Sequence, residues 1–465
     1  MDASTAAAAL AYRVANSVLG WALSLYFRRI EVRDRGRLPA SGPVLIAANH
    51  PAAFTDVLVL GTRLPRRIHF LAMSGIFKPW IRGFALRLVG ALPVYRSEDH
   101  PGQTFRNDAT FHACHEILDR GGAVLIFPEG TSETDRRLAR MKTGAARLAL
   151  AQEQRPGQQG RLTLLPAGLH FEDRTGYQSD VVLSLGEPII LTPYRTLAGS
   201  DPRAAVVWLT AALQASLEEL FLHIPEPEVT RLVHDLEHLY LDELKAGGDP
   251  RHSLELARRV SDCVEYFRRT DPERVHRVWH RIAHYRRKLE ALKLEDAALG
   301  EIERSPKRAF PTARHVVLGV LGLLPALLGG LIHYLPYRAC GTIARHLAPQ
   351  PTRVTSVRIG AGLMVLPLSY GVLALLLKAN TGLPPRDIAL ALAAAVALGL
   401  FALGYFRWLG RQRARIRLAL LAVNHRRLVA RVRAERRELM RIFDQARAQF
   451  SAATGDGSAG QAGPG

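Results

Sequence analysis

The sequence predicts an α/β domain with a largely parallel sheet flanked by helices, followed by an all-α part with membrane-embedded helices. Three observations predict it. Between about residues 30 and 200, short apolar runs alternate with stretches of helical periodicity, the pattern of strand–helix–strand units. Beyond residue 312 lie three apolar runs, each near the roughly 20 residues that cross a bilayer. Finally, 48% hydrophobic residues coexist with 22% charged ones at a mean hydropathy of +0.01, so apolar and charged segments are segregated along the chain.

Residues 6 to 27 form one long apolar run interrupted by Arg13 and Asn16 and followed by Arg28 and Arg29. It lacks a basic lead and a cleavage site, so it does not read as a signal peptide. A helix in the membrane interface, with Trp21 and Tyr26 at headgroup level, fits residues 1–29; a buried first helix of the next domain is the alternative. Residues 30–225 make the expected α/β domain. Its strands are predicted at Val44–Ala48, His69–Met73, Ala123–Phe127, Thr163–Leu169 and Val181–Leu185, with helices over Thr104–Arg120 and Thr143–Gln152.

Residues 226–312 change character, to helices rich in Arg, His, Glu and Leu. His234 and His238 recur at i, i+4, and His276, His280 and His284 at i, i+4, i+8. No HExxH glutamate accompanies them and Arg277, Arg281 and Arg286 crowd them, so a solvated or headgroup-facing stripe is preferred over a metal site. Residues 313–410 hold the apolar runs Val316–Ile332, Ile359–Leu377 and Ile388–Phe406. Pro325 and Gly329–Gly330 suggest a broken or re-entrant first segment, followed by a two-helix hairpin. Lys307, Arg308 and Arg314, then Arg338, Arg345, Arg353 and Arg358, and finally Arg407, Arg411, Arg413, Arg415 and Arg417 flank these runs and place them at a cytosolic surface. Residues 411–450 read as a basic amphipathic helix suited to an anionic membrane surface, and 451–465 as a disordered tail.

The net charge of +20 and pI of about 10.5 call for an anionic partner or surface. Because much of that charge flanks apolar segments, membrane lipids are favoured and no nucleic acid is expected. Three widely spaced cysteines, Cys114, Cys263 and Cys340, argue against a disulfide framework, and without a CxxC or CxxH pairing no metal site is expected.

The chemistry centres on VLIAANHPAAFTD, Val44 to Asp56. The strand delivers His50 at its exit and Asp56 follows, the residue types of a general base oriented by a carboxylate. A surface histidine followed by a helix-capping aspartate is the bland alternative. Three further stretches accompany it: GALPVYR ending at Arg96, FPEGTS from Phe127 to Ser132, and LPAG from Leu165 to Gly168. In order and spacing these blocks, with MKTGAARLAL from Met141 to Leu150, resemble those of the glycerolipid acyltransferase family, over roughly residues 30 to 200.

The resemblance implies the following roles. His50 deprotonates an acceptor hydroxyl that attacks an acyl thioester, and Asp56 orients His50. Arg96 binds the acceptor's phosphate. Glu129, Gly130 and Thr131 shape the acceptor site, Glu129 by accepting from a glycerol hydroxyl or by fixing Arg96. Lys142 adds positive charge, and Pro166 is structural, at the floor of the acyl-donor site. No cofactor is implied, with acyl-CoA or acyl-ACP as co-substrate. The family's usual spacing leaves four residues between the histidine and aspartate, and here five intervene. On a continuous helix the two side chains would diverge by about 240°, so the pairing requires His50 to precede the helix. The expected activity is acyl transfer to glycerol-3-phosphate or 1-acyl-glycerol-3-phosphate at the cytosolic face of the inner membrane. The alternatives are another lysophospholipid acceptor or a catalytically weak lipid-binding scaffold.

Overall fold

A computed structural model describes residues 3–78, 80–95, 106–131, 138–220, 251–294, 296, 299–300, 313–348 and 350–454. Helix α1 (Ala3–Tyr26) leads into strands β1 (Arg29–Arg33) and β2 (Val44–Ala48), helix α2 (Phe54–Arg63), strand β3 (Ile68–Met73), helix α3 (Trp80–Leu88) and strand β4 (Ala91–Val94). Then come α4 (Arg106–Asp119), β5 (Ala123–Ile126), α5 (Gly144–Gln154), β6 (Thr163–Phe171), β7 (Asp180–Leu185), α6 (Thr192–Ser200) and α7 (Pro202–Leu220). The seven strands form one sheet in the order β1-β7-β6-β2-β5-β3-β4, parallel at every pairing except β6–β7.

A mostly parallel sheet must be covered on both faces, and β2 shows why its sequence is apolar throughout. Val44, Ile46 and Ala48 join a core with Leu23 and Phe27, next to α2, whereas Leu45 and Ala47 join a second core with α4, α5 and α7. The domain core therefore includes the end of α1. Tyr26, expected at headgroup level, is buried, with Oη 3.3 Å from the Thr175 carbonyl. Leu10, Val14, Val18 and Trp21, on the opposite stripe of α1, are exposed.

The chain divides into two compact units, Met1–His223 with Cys340–Val365, and Ile224–Ala339 with Leu366–Gly465. The first includes a late segment that the expected boundaries at 225 and 313 do not contain. The all-α part comprises α8 (Arg251–Thr270), α9 (Pro272–Leu292), α10 (Ala313–Leu347), α11 (Pro351–Thr381), α12 (Pro385–Asn424) and α13 (Arg426–Thr454). Among the described residues, three segments, Val317–Leu347, Pro351–Thr381 and Pro385–Gly410, are long and apolar enough to cross a membrane.

The first of these corrects the expectation of a broken segment, because α10 is continuous through Pro325 and Pro336. Gly329 serves packing instead: a methyl group there would collide with the Leu398 carbonyl of α12. Tyr405 of α12 donates its hydroxyl to the Gly319 carbonyl, at 2.5 Å. Small residues let apolar helices approach closely where the hydrophobic effect gives no help.

The basic segment also differs from expectation. Residues 411–424 continue α12, and a new helix starts at Arg426. The apolar stripe of α13, Val429, Val432, Leu439 and Met440, is buried, and α13 packs on α8 and α9. Lys288 pairs with Glu435, and buried Arg436 with Asp296, at 3.1 Å. That stripe is bundle core rather than a membrane-facing surface. His276, His280 and His284 are exposed on α9, as a solvated stripe would be. His234, His238 and residues 455–465 of the expected tail lie outside the described residues.

Candidate active site

In open α/β sheets, ligands bind beyond the carboxyl ends of the strands, and both central strands end there in functional side chains. After β2 the chain turns at Pro51, and α2 begins only at Phe54, so His50 precedes the helix as the spacing requires. Ala53 absorbs the turn with φ 50° and ψ −128°, a conformation that costs a non-glycine residue on the order of 1–3 kcal/mol. That turn brings His50 Nδ1 to 2.9 Å from Asp56 Oδ2.

The same carboxylate oxygen accepts the Ala52 N–H at 2.8 Å, tying the turn to its own aspartate. Asp56 is completely buried, and its Oδ1 has no hydrogen-bond partner among the described residues. Burial raises the Asp56 pKa, opposed by the bond to His50 and by positive charge on His50 and Arg174. As a carboxylate it accepts from Nδ1–H and leaves the Nε2 lone pair as the basic site. The imidazole stacks on Phe127 with centroids 3.9 Å apart and planes at 18°, and keeps partial exposure, 18% of its side chain. A ring fixed on one face and by one nitrogen has a single way to present the other nitrogen.

Glu129 ties this turn to the loop after β5. Its Oε1 accepts the His50 N–H at 2.8 Å and its Oε2 accepts the Ala139 N–H at 3.0 Å. Glu129 is nearly fully buried, and burial raises its pKa against these two bonds. Both carboxylate oxygens thus hold backbone. Gly130 has φ 67°, a left-handed conformation natural to glycine, and a Cβ there would meet Lys142 Cδ, Cε and Nζ at 3.0 Å. The Lys142 stem therefore lies across Gly130 beside Glu129, and the Lys142 N–H donates to the Pro128 carbonyl at 2.8 Å. Thr131 follows, exposed.

Pro166 is buried inside β6 beside Ala47 of β2, and its carbonyl accepts the Gly186 N–H at 2.8 Å. Arg96 lies outside the described residues. The structure thus brings His50, Asp56, Glu129, Gly130 and Lys142 together, with Pro166 in the strand beneath.

Two further residues were not singled out from sequence. Asn49, also buried, clamps β6: its Nδ2 donates to the Leu169 carbonyl at 3.0 Å and its Oδ1 accepts the Leu169 N–H at 2.7 Å. Phe127 is the platform under His50. Both sit inside the quoted blocks, next to residues whose charge drew the attention. Among the described residues, no group of three His, Cys, Asp or Glu side chains could hold a metal ion.

Residues 29–169, which contain this whole constellation, match the Acyltransferase family model. This stretch is similar to that family. A chloroplastic 1-acyl-sn-glycerol-3-phosphate acyltransferase from Arabidopsis thaliana is 33% identical over 132 residues, 28% of this chain and 35% of that protein. A 1-acyl-sn-glycerol-3-phosphate acyltransferase from Bacillus subtilis is 29% identical over 41% of this chain and 87% of its own length. Glycerol-3-phosphate O-acyltransferase 2 of Saccharomyces cerevisiae is 27% identical over 44% of this chain and 27% of its own length. The chain thus spans about a third of the plant and yeast proteins and most of the bacterial one. A solved structure of the acyltransferase PlsC from Thermotoga maritima, titled as acting on 1-acyl-sn-glycerophosphate, covers 47% of this chain and 84% of that chain. The identity is 17% and the TM-score 0.35.

Proposed function

We propose that the chain is a membrane-bound O-acyltransferase that moves a fatty acyl group from an acyl thioester, acyl-CoA or acyl-ACP, to a hydroxyl of glycerol-3-phosphate or 1-acyl-glycerol-3-phosphate. The observation that carries this reading is the His50–Asp56 pair at 2.9 Å, at the carboxyl end of β2 within a family-matched domain. His50 Nε2 takes the proton of the acceptor hydroxyl as its oxygen attacks the thioester carbonyl. Asp56 stabilises the resulting imidazolium. The tetrahedral intermediate collapses, the carbon–sulfur bond breaks, and the leaving thiolate recovers the proton from His50. The acyl group passes directly to the acceptor, with no acyl-enzyme.

Lys142, on the exposed side of Gly130, supplies a cation for the acceptor's phosphate, and Arg96 is assigned the same role. Glu129 acts by holding the backbone of His50 and Ala139 rather than through substrate. The three apolar helices anchor the chain, and their basic flanks favour the cytosolic face of the inner membrane.

The test offers the purified full chain, in liposomes, glycerol-3-phosphate and 1-acyl-glycerol-3-phosphate separately, each with acyl-CoA and with acyl-ACP. Acylation of either acceptor supports the reading. Failure with both acceptors and both donors overturns it.

A further inference from the structure

The turn that sets the catalytic pair is completed from far along the chain. Helix α11 is one of the three apolar helices, yet its residues up to Val365 belong to the same compact unit as the sheet. One face of its first turns is buried there: Thr352, Thr355 and Ile359, at i, i+3 and i+7, with Ile359 in the core that holds Val57 and Leu58 of α2. That face is also polar at its tip, and its hydroxyls make specific bonds.

Ser356 Oγ accepts the Thr55 N–H at 3.0 Å, lies 2.9 Å from Thr55 Oγ1, and donates to the Ala52 carbonyl at the outer limit of 3.5 Å. Ala52 and Thr55 bracket Ala53, the strained residue of the turn, and Thr55 is itself fully buried. On its other side the same short segment is held by Asp56, whose Oδ2 takes the Ala52 N–H and the His50 imidazole. Thr355 Oγ1 donates to the carbonyl of Arg174, the residue whose charge acts on Asp56, and Arg358 Nη1 donates to the Thr175 carbonyl at 2.8 Å.

We infer that Ser356 is a positioning residue of the active site, a hydroxyl that the apolar helix α11 inserts behind the His50–Asp56 turn to hold its strained backbone. The physical need is plain. A residue at φ 50° without glycine's freedom relaxes unless its neighbours are fixed, and a local relaxation would carry Asp56 away from Nδ1. The main-chain bond from the Thr55 N–H to the Ala52 carbonyl, at 3.1 Å, closes the turn but leaves the Thr55 hydroxyl needing a partner in a buried site. Ser356 supplies it. The acyl-transfer chemistry of this inference rests on the function proposed above; the positioning of the turn does not.

The test uses the full chain in liposomes with Ser356→Ala and Ser356→Thr beside wild type. Two readouts are taken: kcat and KM for acceptor and donor, and hydrogen exchange of the amides of residues 52–56. Ser356→Ala is expected to lower kcat about tenfold with both KM values within twofold, and to speed exchange of the Thr55 amide about tenfold while β2 and β5 amides keep their protection. Ser356→Thr, which keeps the hydroxyl, is expected to restore most of both. Unchanged kcat with unchanged Thr55 exchange overturns the inference, as does a loss of protection spread across the sheet, which would mark a general packing role. If wild type transfers no acyl group, the function proposed above fails and the exchange comparison alone decides the positioning.

Discussion

Replacing Asp56 by asparagine separates the two things that the carboxylate does for His50. Oδ2 accepts from both the Ala52 N–H, at 2.8 Å, and His50 Nδ1, at 2.9 Å. The Ala52 N–H therefore selects the orientation in which the amide oxygen of the variant takes the Oδ2 position, because the opposite orientation sets two donors against each other. In that orientation the Nδ1–H bond and the tautomer survive, and only the negative charge is lost. A charge opposite an imidazolium at about 4 Å contributes about 4 kcal/mol at an effective dielectric constant of 20, close to a thousandfold in rate. Asp56→Asn should thus lower kcat by roughly a hundredfold to a thousandfold with little change in either KM, and Asp56→Ala should fall further because it frees the tautomer as well. The assay is steady-state acyl transfer by full-length protein in liposomes. Equal rates for the two variants, or less than a tenfold loss for Asp56→Asn, would refute the reasoning.

Three other outcomes follow from the same geometry. Asn49→Ala leaves the Leu169 N–H and carbonyl without partners in a buried site, at about 1–3 kcal/mol each, so the thermal midpoint should drop by several degrees; an unchanged midpoint would show that the clamp is dispensable. Lys142→Met should raise KM for the phosphate-bearing acceptor by about tenfold or more while leaving KM for the acyl donor unchanged, and a rise in the donor KM alone would move Lys142 to the other substrate. Burial raises the pKa of Asp56 above its ordinary 3.8, so the folded chain holds that proton more tightly than the unfolded one. The stability this proton contributes is present below 3.8 and lost as pH rises through the folded value. Unfolding midpoints measured across that window should shift in favour of Asp56→Asn over wild type as pH rises, and a pH-independent difference would contradict the burial argument.

The parts of the fold legible in the sequence were those whose residues meet one environment. β2, β5 and β6 lie inside the sheet, covered on both faces, and their apolar runs mark them directly. β1 and β4 were harder because they are the two edges. Arg29, Glu31 and Arg33 give β1 the look of a charged linker, and β4 is only four residues long and carries Pro93, which weakens its strand signal. In α10, Gly329 reads as a helix breaker, but against α12 its missing side chain is what permits contact. The apolar face of α13 was legible in its periodicity, but its burial within the helical bundle was not.

For the site, His50, Asp56, Glu129 and Lys142 could be named from charge and motif. What each does to the others depends on geometry. Glu129 reads as a contact to a glycerol hydroxyl or to Arg96, and its two oxygens accept the backbone N–H groups of His50 and Ala139, a role that charge and motif do not reveal. Ser356 lies 301 residues from Thr55 in a segment that reads as membrane helix, so nothing local in the sequence connects it to His50.

The most direct test of the central claim, that His50 is the general base, compares wild type with His50→Gln in liposomes. Acyl transfer is measured at saturating donor, with binding of the acceptor measured separately. The account predicts a loss of kcat of at least about a thousandfold with acceptor affinity within threefold of wild type. A variant that keeps a tenth or more of the wild-type rate would contradict it.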